Sequence, residues 1–421
     1  MSTERDRRPA GAPKGLALGK APRGLALGRA ARRCGLPLIA SLVLSGASTT
    51  GAEPALSGYF EQMLQVDYGP DVAGETLIDY SKLRIDLTAG SGENRFAFRG
   101  NLNAMQYHTR TGYDLALYLP EERAQELRRA GGPTRLPLPE NRIYLDNAWL
   151  TWDGTPLRLR LGKQQLSWGP GHAFNPTDLF HEKNLIDPTY EKEGVAALRL
   201  DAHWGIGGQA SLIMAPGATF RHSGYAVRLA TYLGGLGYDL ALTAHHVRDS
   251  TAVDPATLLR QEQRRDALGL ELSGPLLGLG CWLEGNYNWM EAEPDFARAI
   301  GGCDYTLENG LHVMIEALVD LRGRRDAPYP LRDWLASLLC GEPIGRGWVM
   351  SGADADLSSL LRGSLYVFGA YDGSILVNPR LQWWVAQNAQ LEFFGALTAG
   401  NENGAFPPGL YSIYARANVY F

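Results

Sequence analysis

Apolar and polar residues alternate along most of this chain, and the pattern is clearest at its end. In the last eleven residues every second position is apolar or aromatic: Tyr411, Ile413, Ala415, Ala417, Val419 and Phe421. The positions between them are mainly polar: Ser412, Tyr414, Arg416, Asn418 and Tyr420. A period of two predicts a β-strand with one face in apolar surroundings and the other in water.

The same alternation recurs from Leu56 to Phe421 in segments of roughly ten residues, the length with which a tilted strand crosses a bilayer. We count eighteen segments, with sixteen as the alternative. Short connections alternate with long ones, and the long ones are 109–140, 169–194, 249–264, 322–346 and 399–409. This rhythm is typical of membrane barrels. It predicts an all-β fold, a closed transmembrane antiparallel β-barrel over residues 53–421.

A strand that ends a chain on an aromatic residue, as Phe421 does here, resembles the last strand of bacterial outer-membrane β-barrels. The resemblance implies residence in the bacterial outer membrane, among its lipid and lipopolysaccharide. It also implies that the barrel assembly machinery recognises the terminal strand. An even number of strands would place both chain termini on the periplasmic side, together with the short turns.

One segment carries a second, narrower resemblance. It reads Gly162-Lys163-Gln164, then Trp168-Gly169, Asn175-Pro176 and Asp178-Leu179-Phe180. This order is similar to a stretch of alginate-export-like outer-membrane porins, in which an arginine stands at the position of Lys163. The resemblance implies a porin-like channel and does not define a substrate.

The first 52 residues are predicted to be a signal peptide. They combine many Arg and Lys residues, a short apolar run from Leu36 to Leu44, and small residues up to Ala52. Removing their nine basic and two acidic residues from totals of 40 and 45 leaves 31 and 43, a net charge of −12. This acidic balance argues against nucleic acid as a partner.

Chemical motifs are scarce in the rest of the chain. Cys281, Cys303 and Cys340 show no metal-ligand spacing, and their odd number argues against a full disulfide framework. Cys281 and Cys303 fall on the apolar faces of neighbouring strands, where we expect lone lipid-facing residues; a bridge between them is the alternative. His181-Glu182 lacks the second histidine of a zinc-binding helix, and no Gly-x-Ser-x-Gly motif occurs. We therefore expect no metal, no cofactor and no enzymatic activity.

Charged residues on the predicted inward face separate by sign along the chain. The basic ones come early: Arg84, Arg99, Arg158, Arg160, Arg199 and Arg228. The acidic ones come late: Glu271, Glu316, Asp354, Asp356 and Glu392. Closure of the sheet would set a basic wall against an acidic wall, and the resulting field would orient and filter polar solutes. The alternative is that these charges simply pair with neighbours.

The loop 169–194 is the third one on the predicted external rim. In general porins that loop folds inward and narrows the channel, and glycine and proline residues here suit an irregular path. Its candidate lining residues are His172, Asp178, His181, Glu182 and Lys183. The alternative is a loop packed over the rim.

Together these features favour an outer-membrane channel for diffusion of small polar or anionic solutes. The alternative is an export pore for an anionic polysaccharide, with the arginines as weak binding sites; an outer-membrane enzyme ranks lower. The sequence favours neither a monomer nor an oligomer.

Overall fold

The computed structural model describes residues 54–69, 76–90, 95–109, 113–136, 140–181 and 193–421. The predicted signal peptide, 1–52, lies outside these residues, as do Glu182 and Lys183. The described strands are β1 (Ala55–Tyr68), β2 (Thr76–Ala89), β3 (Phe96–Tyr107), β4 (Tyr113–Asp114), β5 (Arg135–Leu136), β6 (Arg142–Gly154), β7 (Leu157–Gln164), β8 (Val195–Trp204), β9 (Gly208–Ala215), β10 (Gly224–Leu233), β11 (Tyr238–Val253), β12 (Arg260–Leu276), β13 (Leu279–Met290), β14 (Phe296–Thr306), β15 (His312–Asp320), β16 (Gly347–Ser358), β17 (Leu361–Ala370), β18 (Ile375–Ala386), β19 (Ala389–Ala399) and β20 (Tyr411–Tyr420).

Eighteen of these strands form one closed antiparallel sheet, while β4 and β5 pair separately within a loop. The barrel closes where β20 pairs with β1, with Tyr420 opposite Tyr59. Next to this pair, the backbone N–H of Phe421 donates to the carbonyl of Gly58 at 3.0 Å, and the Gly58 N–H returns the bond at 2.9 Å. Closure satisfies the backbone groups of the wall within the sheet, as a bilayer requires. The prediction of eighteen strands is confirmed.

The alternation in the sequence separates an apolar outer face from a polar interior. In β12, Leu268 and Leu270 point outward and are 55% and 50% exposed, whereas Glu271 points inward and is 3% exposed. The same alternation holds along β20, where Ile413 is exposed and Arg416 is buried inside. An outer surface of this kind is stable against the hydrocarbon of a bilayer.

The two ends of the barrel differ in their connections, and we call them the short-turn rim and the long-loop rim. Phe421 lies at the short-turn rim, with turns such as 205–207. One predicted long loop, 249–264, is wrong in extent. Here β11 continues to Val253 and β12 begins at Arg260, because the alternation of buried and outward positions persists through both segments.

The phase of β7 does not shift at Gly162. The register of β7 with β6 and β8 is continuous across this residue, so it forms no bulge. The strand then ends at Gln164. Lys163 lies on the outward face at this end, and its ammonium donates to the carbonyl of Leu145 at 2.9 Å.

The expectation of lone lipid-facing cysteines is wrong. Cys281 in β13 lies directly opposite Cys303 in β14, their Cα atoms are 4.1 Å apart, and the two form a disulfide. Both lie on the outer face, as the alternation predicts, and the strand register makes them direct cross-strand neighbours.

Two long loops carry helices and fill the long-loop mouth. Helix α1 (Glu121–Arg129) lies between β3 and β6, and helix α2 (Leu331–Cys340) lies between β15 and β16. Short 3-10 turns occur at Leu115–Tyr118 and Phe220–His222. Across the described ranges, no helix is long and apolar enough to span a membrane. We call residues 113–136 and 321–346 the cap.

The cap packs on both walls of the barrel through one apolar cluster. From the cap this cluster takes Leu115, Leu127, Leu331, Leu335 and Leu338. From the wall it takes inward side chains on widely separated strands: Met63, Ile78, Met105, Trp348, Phe368 and Leu376. The long-loop end of the interior is therefore an apolar core, although most of the wall below it is polar.

Candidate functional site in the barrel lumen

All six predicted basic residues occupy inward positions, on β2, β3, β7, β8 and β10. Their neighbours in sequence face outward; Leu157 and Leu161, which flank Arg158 and Arg160, are exposed on the outer surface. The strands position these arginines because the apolar neighbours must face lipid and the period of two leaves no other direction.

Most of these arginines have a carboxylate partner. The pairs, each with its partner on the same strand or a nearby one, are Arg84–Asp86 at 2.8 Å, Arg158–Asp153, Arg199–Asp201 at 2.9 Å and Arg228–Glu271 at 2.7 Å. Arg99 and Arg160 make no ion pair with any residue that the structure describes. The basic wall therefore presents two uncompensated charges to the lumen.

Arg160 also faces another arginine. It lies directly opposite Arg199 in the pairing of β7 with β8. Among the described residues, its Nε atom has no hydrogen-bond partner. Like charges directly opposite each other destabilise a sheet, and an anion between them would relieve the repulsion. Because Asp201 pairs with Arg199 at 2.9 Å, Arg160 is the guanidinium of the two that is suited to an anionic group.

The five predicted acidic residues also occupy inward positions, but most of them do not reach the water of the lumen. Glu271, Glu316, Asp354 and Glu392 are each at most 6% exposed. Only Asp356 is exposed. This differs from the expected acidic wall opposite the arginines, and the reason lies in what covers the carboxylates.

The segment that follows β7 enters the barrel and covers Glu316. The backbone N–H groups of His172, Ala173 and Phe174 donate to this carboxylate at 2.7, 2.9 and 2.8 Å. The indole N–H of Trp282 on the neighbouring wall adds a fourth bond at 2.7 Å. Hydrogen bonds to an ionised acceptor are roughly twice as strong as neutral ones. Glu316 therefore anchors the loop.

Two further carboxylates hold the same segment. Glu284 accepts from the backbone N–H of Thr177 at 2.7 Å and from that of Gly171 at 3.2 Å. The Thr177 hydroxyl lies 2.8 Å from Glu284 and 3.0 Å from Glu271. Residues 171–177 thus contact β12, β13 and β15 from the inside.

The candidate residues of this loop have different surroundings. His172 is exposed, and its ring lies 4.6 Å from that of Trp282. Asp178 is buried, and its carboxylate accepts from the N–H groups of Phe180 and His181, so it shapes the local turn. Glu182 and Lys183 lie outside the described residues.

The remaining buried acids are neutralised within the wall. Glu392 on β19 lies between Arg380 and Arg416, each at 3.0 Å. Asp354 on β16 pairs with Arg362 on β17 and lies 3.0 Å from Nδ1 of His312. These pairs add little negative charge to the lumen. In the ranges that the structure covers, no group of three His, Cys, Asp or Glu side chains is placed to hold a metal ion.

Sequence reasoning missed the anchoring role of the acids and the indole of Trp282. The alternation does place Glu271, Glu284 and Glu316 inward, and a loop rich in glycine and proline offers many free N–H groups. That combination is the available signal, but pairing these atoms needs contacts between residues 94 to 144 positions apart in the chain.

No family model matches the chain, and no curated protein matches it in sequence. Among solved structures it is similar to outer-membrane porins. Pseudomonas aeruginosa OccK9 (OpdG) has a TM-score of 0.56 and 9% identity, covering 88% of this chain and 98% of that one. Acinetobacter baumannii OccAB1 has a TM-score of 0.55 and 7% identity, covering 89% and 99%. OccAB4 of the same organism has a TM-score of 0.55 and 9% identity, covering 88% and 98%.

At such low identity the similarity shows the fold. The comparisons do not show the predicted resemblance to alginate-export-like porins. The chain shares with these porins the fold of a closed antiparallel barrel, here of eighteen strands with an apolar outer face and a charged interior.

Proposed function

We propose that this protein is a channel through which small polar solutes, preferentially anions, cross the outer membrane. The observation that carries the proposal is the imbalance of the inward charges. Arg99 and Arg160 have no ion pair in the described part of the chain, whereas Glu271, Glu316 and Glu392 are buried under the loop or under arginines. We propose that solutes therefore meet local positive charge beside these two arginines, although Asp239 and Asp356 are exposed inward carboxylates and the predicted mature chain is negative overall.

Arginine suits this role because its guanidinium stays charged at physiological pH and holds carboxylates or sulfates through two parallel hydrogen bonds. Sites that bind an anion weakly, one after another along a pore, attract it and still release it. Arg99 and Arg160 lie on two strands of one wall, β3 and β7. We propose that they are such sites.

Export of an anionic polysaccharide is the second candidate, and it would use the same arginines. The cap favours small solutes over a polymer. A polymer would keep the apolar cluster of the long-loop mouth displaced during the whole passage, whereas a small solute needs only a brief opening.

The test is ion selectivity in planar bilayers under a KCl gradient. Replacing Arg99 and Arg160 together by Gln should lower the anion-to-cation permeability ratio about threefold or more, since each charge beside a narrow pore contributes on the order of 1 kcal/mol. Arg264→Gln is the matched control, because Arg264 occupies an outward position on β12. An unchanged ratio in the double variant would mean that neither guanidinium faces the ion path.

A further inference from the structure

The first half of the cap spans the full width of the long-loop mouth. At one end, the Tyr118 hydroxyl donates to the carboxylate of Asp67 on β1 at 2.7 Å. At the other end, Gly132 abuts the carbonyl of Pro255, between β11 and β12, so closely that a side chain at Gly132 has no space. Strands β1 and β12 are separated by half of the barrel in either direction. These two contacts therefore lie on opposite walls.

The second half of the cap, residues 321–346, fills the space beside this bridge. Helix α2 packs against helix α1 and against β11. Its Trp334 and Leu335 are 3% and 0% exposed, inside the apolar cluster that joins the cap to both walls. A polar solute entering that cluster would lose its water without gaining hydrogen bonds. Passage through the mouth therefore requires that the cap moves.

One buried carboxylate fastens this half of the cap to the wall. Glu342 lies 2.6 Å from Nη2 of Arg298 on β14 and 2.5 Å from Nη2 of Arg322 at the start of the loop. Its other oxygen lies 3.9 Å from Nη1 of Arg265 on β12. Glu342 and Arg265 are at most 2% exposed. We call Glu342, Arg265, Arg298 and Arg322 the latch.

The charges of the latch balance separately on the wall and on the loop. On the wall, Arg265 pairs with Asp249 at 2.9 Å, and Arg298 pairs with Asp320 at 2.6 Å. On the loop, Arg322 and Glu342 form a pair of their own. Arg322 also lies 3.8 Å from Glu293 and 3.9 Å from Asp320. Lifting the loop would break these two longer contacts, while the pairs of Arg265 with Asp249, Arg298 with Asp320 and Arg322 with Glu342 stay intact.

We propose that residues 321–346 are a gate and that Glu342 is the group that holds it closed. The proposal rests on the channel function proposed above. In the closed position Glu342 inserts between the wall arginines and α2 fills the mouth. In the open position the wall keeps its own ion pairs, the loop keeps the pair of Arg322 with Glu342, and the mouth is free for polar solutes.

Cys340 provides a reporter for this movement. It ends helix α2, two residues before Glu342, and is fully buried. The other two cysteines in the described residues, Cys281 and Cys303, are joined in a disulfide. A maleimide should therefore label the chain at a rate set by opening of the gate, and Cys340→Ser gives the background.

The experiment compares Glu342→Gln with the unmodified protein and with Asp333→Asn, all folded in detergent. Glu342→Gln removes the charge that the wall arginines hold, so Cys340 should label about tenfold faster or more, and the channel should open more often in bilayers. Asp333→Asn is the matched control. It removes one carboxylate from the same loop, but one paired with Arg324 and Arg332, which are both exposed. Its labelling should equal that of the unmodified protein.

If Glu342→Gln fails to fold, a second variant tests whether residues 321–346 move as a gate. Tyr329→Phe removes only the bond from the Tyr329 hydroxyl to Asp372, which is 2.7 Å long and joins the gate to the next loop. Labelling of Cys340 should again accelerate, by a smaller factor. If the variant that folds labels at the unmodified rate, the proposed gate is refuted, even if the channel conducts anions. Faster labelling in a protein that never conducts would support the movement of the cap and refute the channel function instead.

Discussion

The two ends of the barrel interior are made from different parts of the chain. Toward the short-turn rim the interior is lined by strand residues such as Arg99, Arg158 and Arg160. Toward the long-loop rim it is filled by residues 113–136 and 321–346, whose partners lie far away in sequence. The strands define the charge of the wall, whereas the loops define whether a solute reaches it.

The two ends also differ in the interactions that stabilise them. The wall is held by a continuous ladder of backbone hydrogen bonds closed between β1 and β20. The cap is held by apolar packing and by a few buried charges around Glu342. Loss of the ladder should therefore destroy both ends, while loss of a cap contact should leave the wall intact.

Deletion of Phe421 should have the largest effect. It removes both backbone bonds to Gly58 at the closing seam, together with the terminal aromatic residue that the assembly machinery is expected to recognise. The fraction of heat-modifiable barrel in the outer membrane should fall several-fold. Phe421→Tyr, which keeps the ring and the backbone, is the control. Normal amounts of folded barrel after the deletion would contradict the role of the closing strand.

Leu335→Ala should weaken the cap and spare the wall. Leu335 is fully buried in the apolar cluster, and truncating such a residue costs about 2–5 kcal/mol. Cys340 should become more reactive to maleimide while the heat-modifiable fraction stays constant. Leu236→Ala, at a residue that is 70% exposed, is the control. A parallel loss of folded barrel would show that cap and wall do not behave as separate parts.

Glu316→Gln should loosen the segment 171–177. It removes the charge that three backbone N–H groups and the indole of Trp282 share, and hydrogen bonds to charged groups contribute about 1.5–3 kcal/mol each. Single-channel conductance should rise without loss of the barrel. Asp356→Asn, at an exposed inward carboxylate, should not raise it. If Glu316→Gln conducts like the unmodified protein, this segment does not narrow the pore.

The smallest effect is expected from neutralising a paired site. Replacing Arg84 by Gln and Asp86 by Asn removes an ion pair without changing the net charge of the lumen. The permeability ratio should change less than after replacement of Arg99 and Arg160. An equal change would mean that paired and unpaired arginines contribute alike to selectivity.

The sequence predicts the wall well, because a period of two is set by each strand alone. It yields the closed barrel, the count of eighteen strands and the inward positions of Arg158 and Arg160. The contacts that decide the site depend on register and on distant segments. Glu316 finds its partners 142 to 144 residues earlier in the chain, and local pattern carries no information about such a distance.

The disulfide illustrates the same limit. Apolar periodicity places Cys281 and Cys303 on one face, but only the pairing of β13 with β14 sets them opposite each other. The cap was beyond prediction for a related reason. Helix α1 is mainly polar and helix α2 is largely apolar. The alternation along the strands carries no information about which wall residues meet Leu127 and Leu335.

The proposed channel prefers anions because Arg99 and Arg160 are unpaired among the described residues, and the zero-current potential of the unmodified protein tests this preference. The protein would be reconstituted in a planar bilayer with a KCl gradient, and the voltage at zero current would be read. We expect a potential of the sign that chloride permeation produces. A potential of the opposite sign, showing preference for potassium, would contradict it.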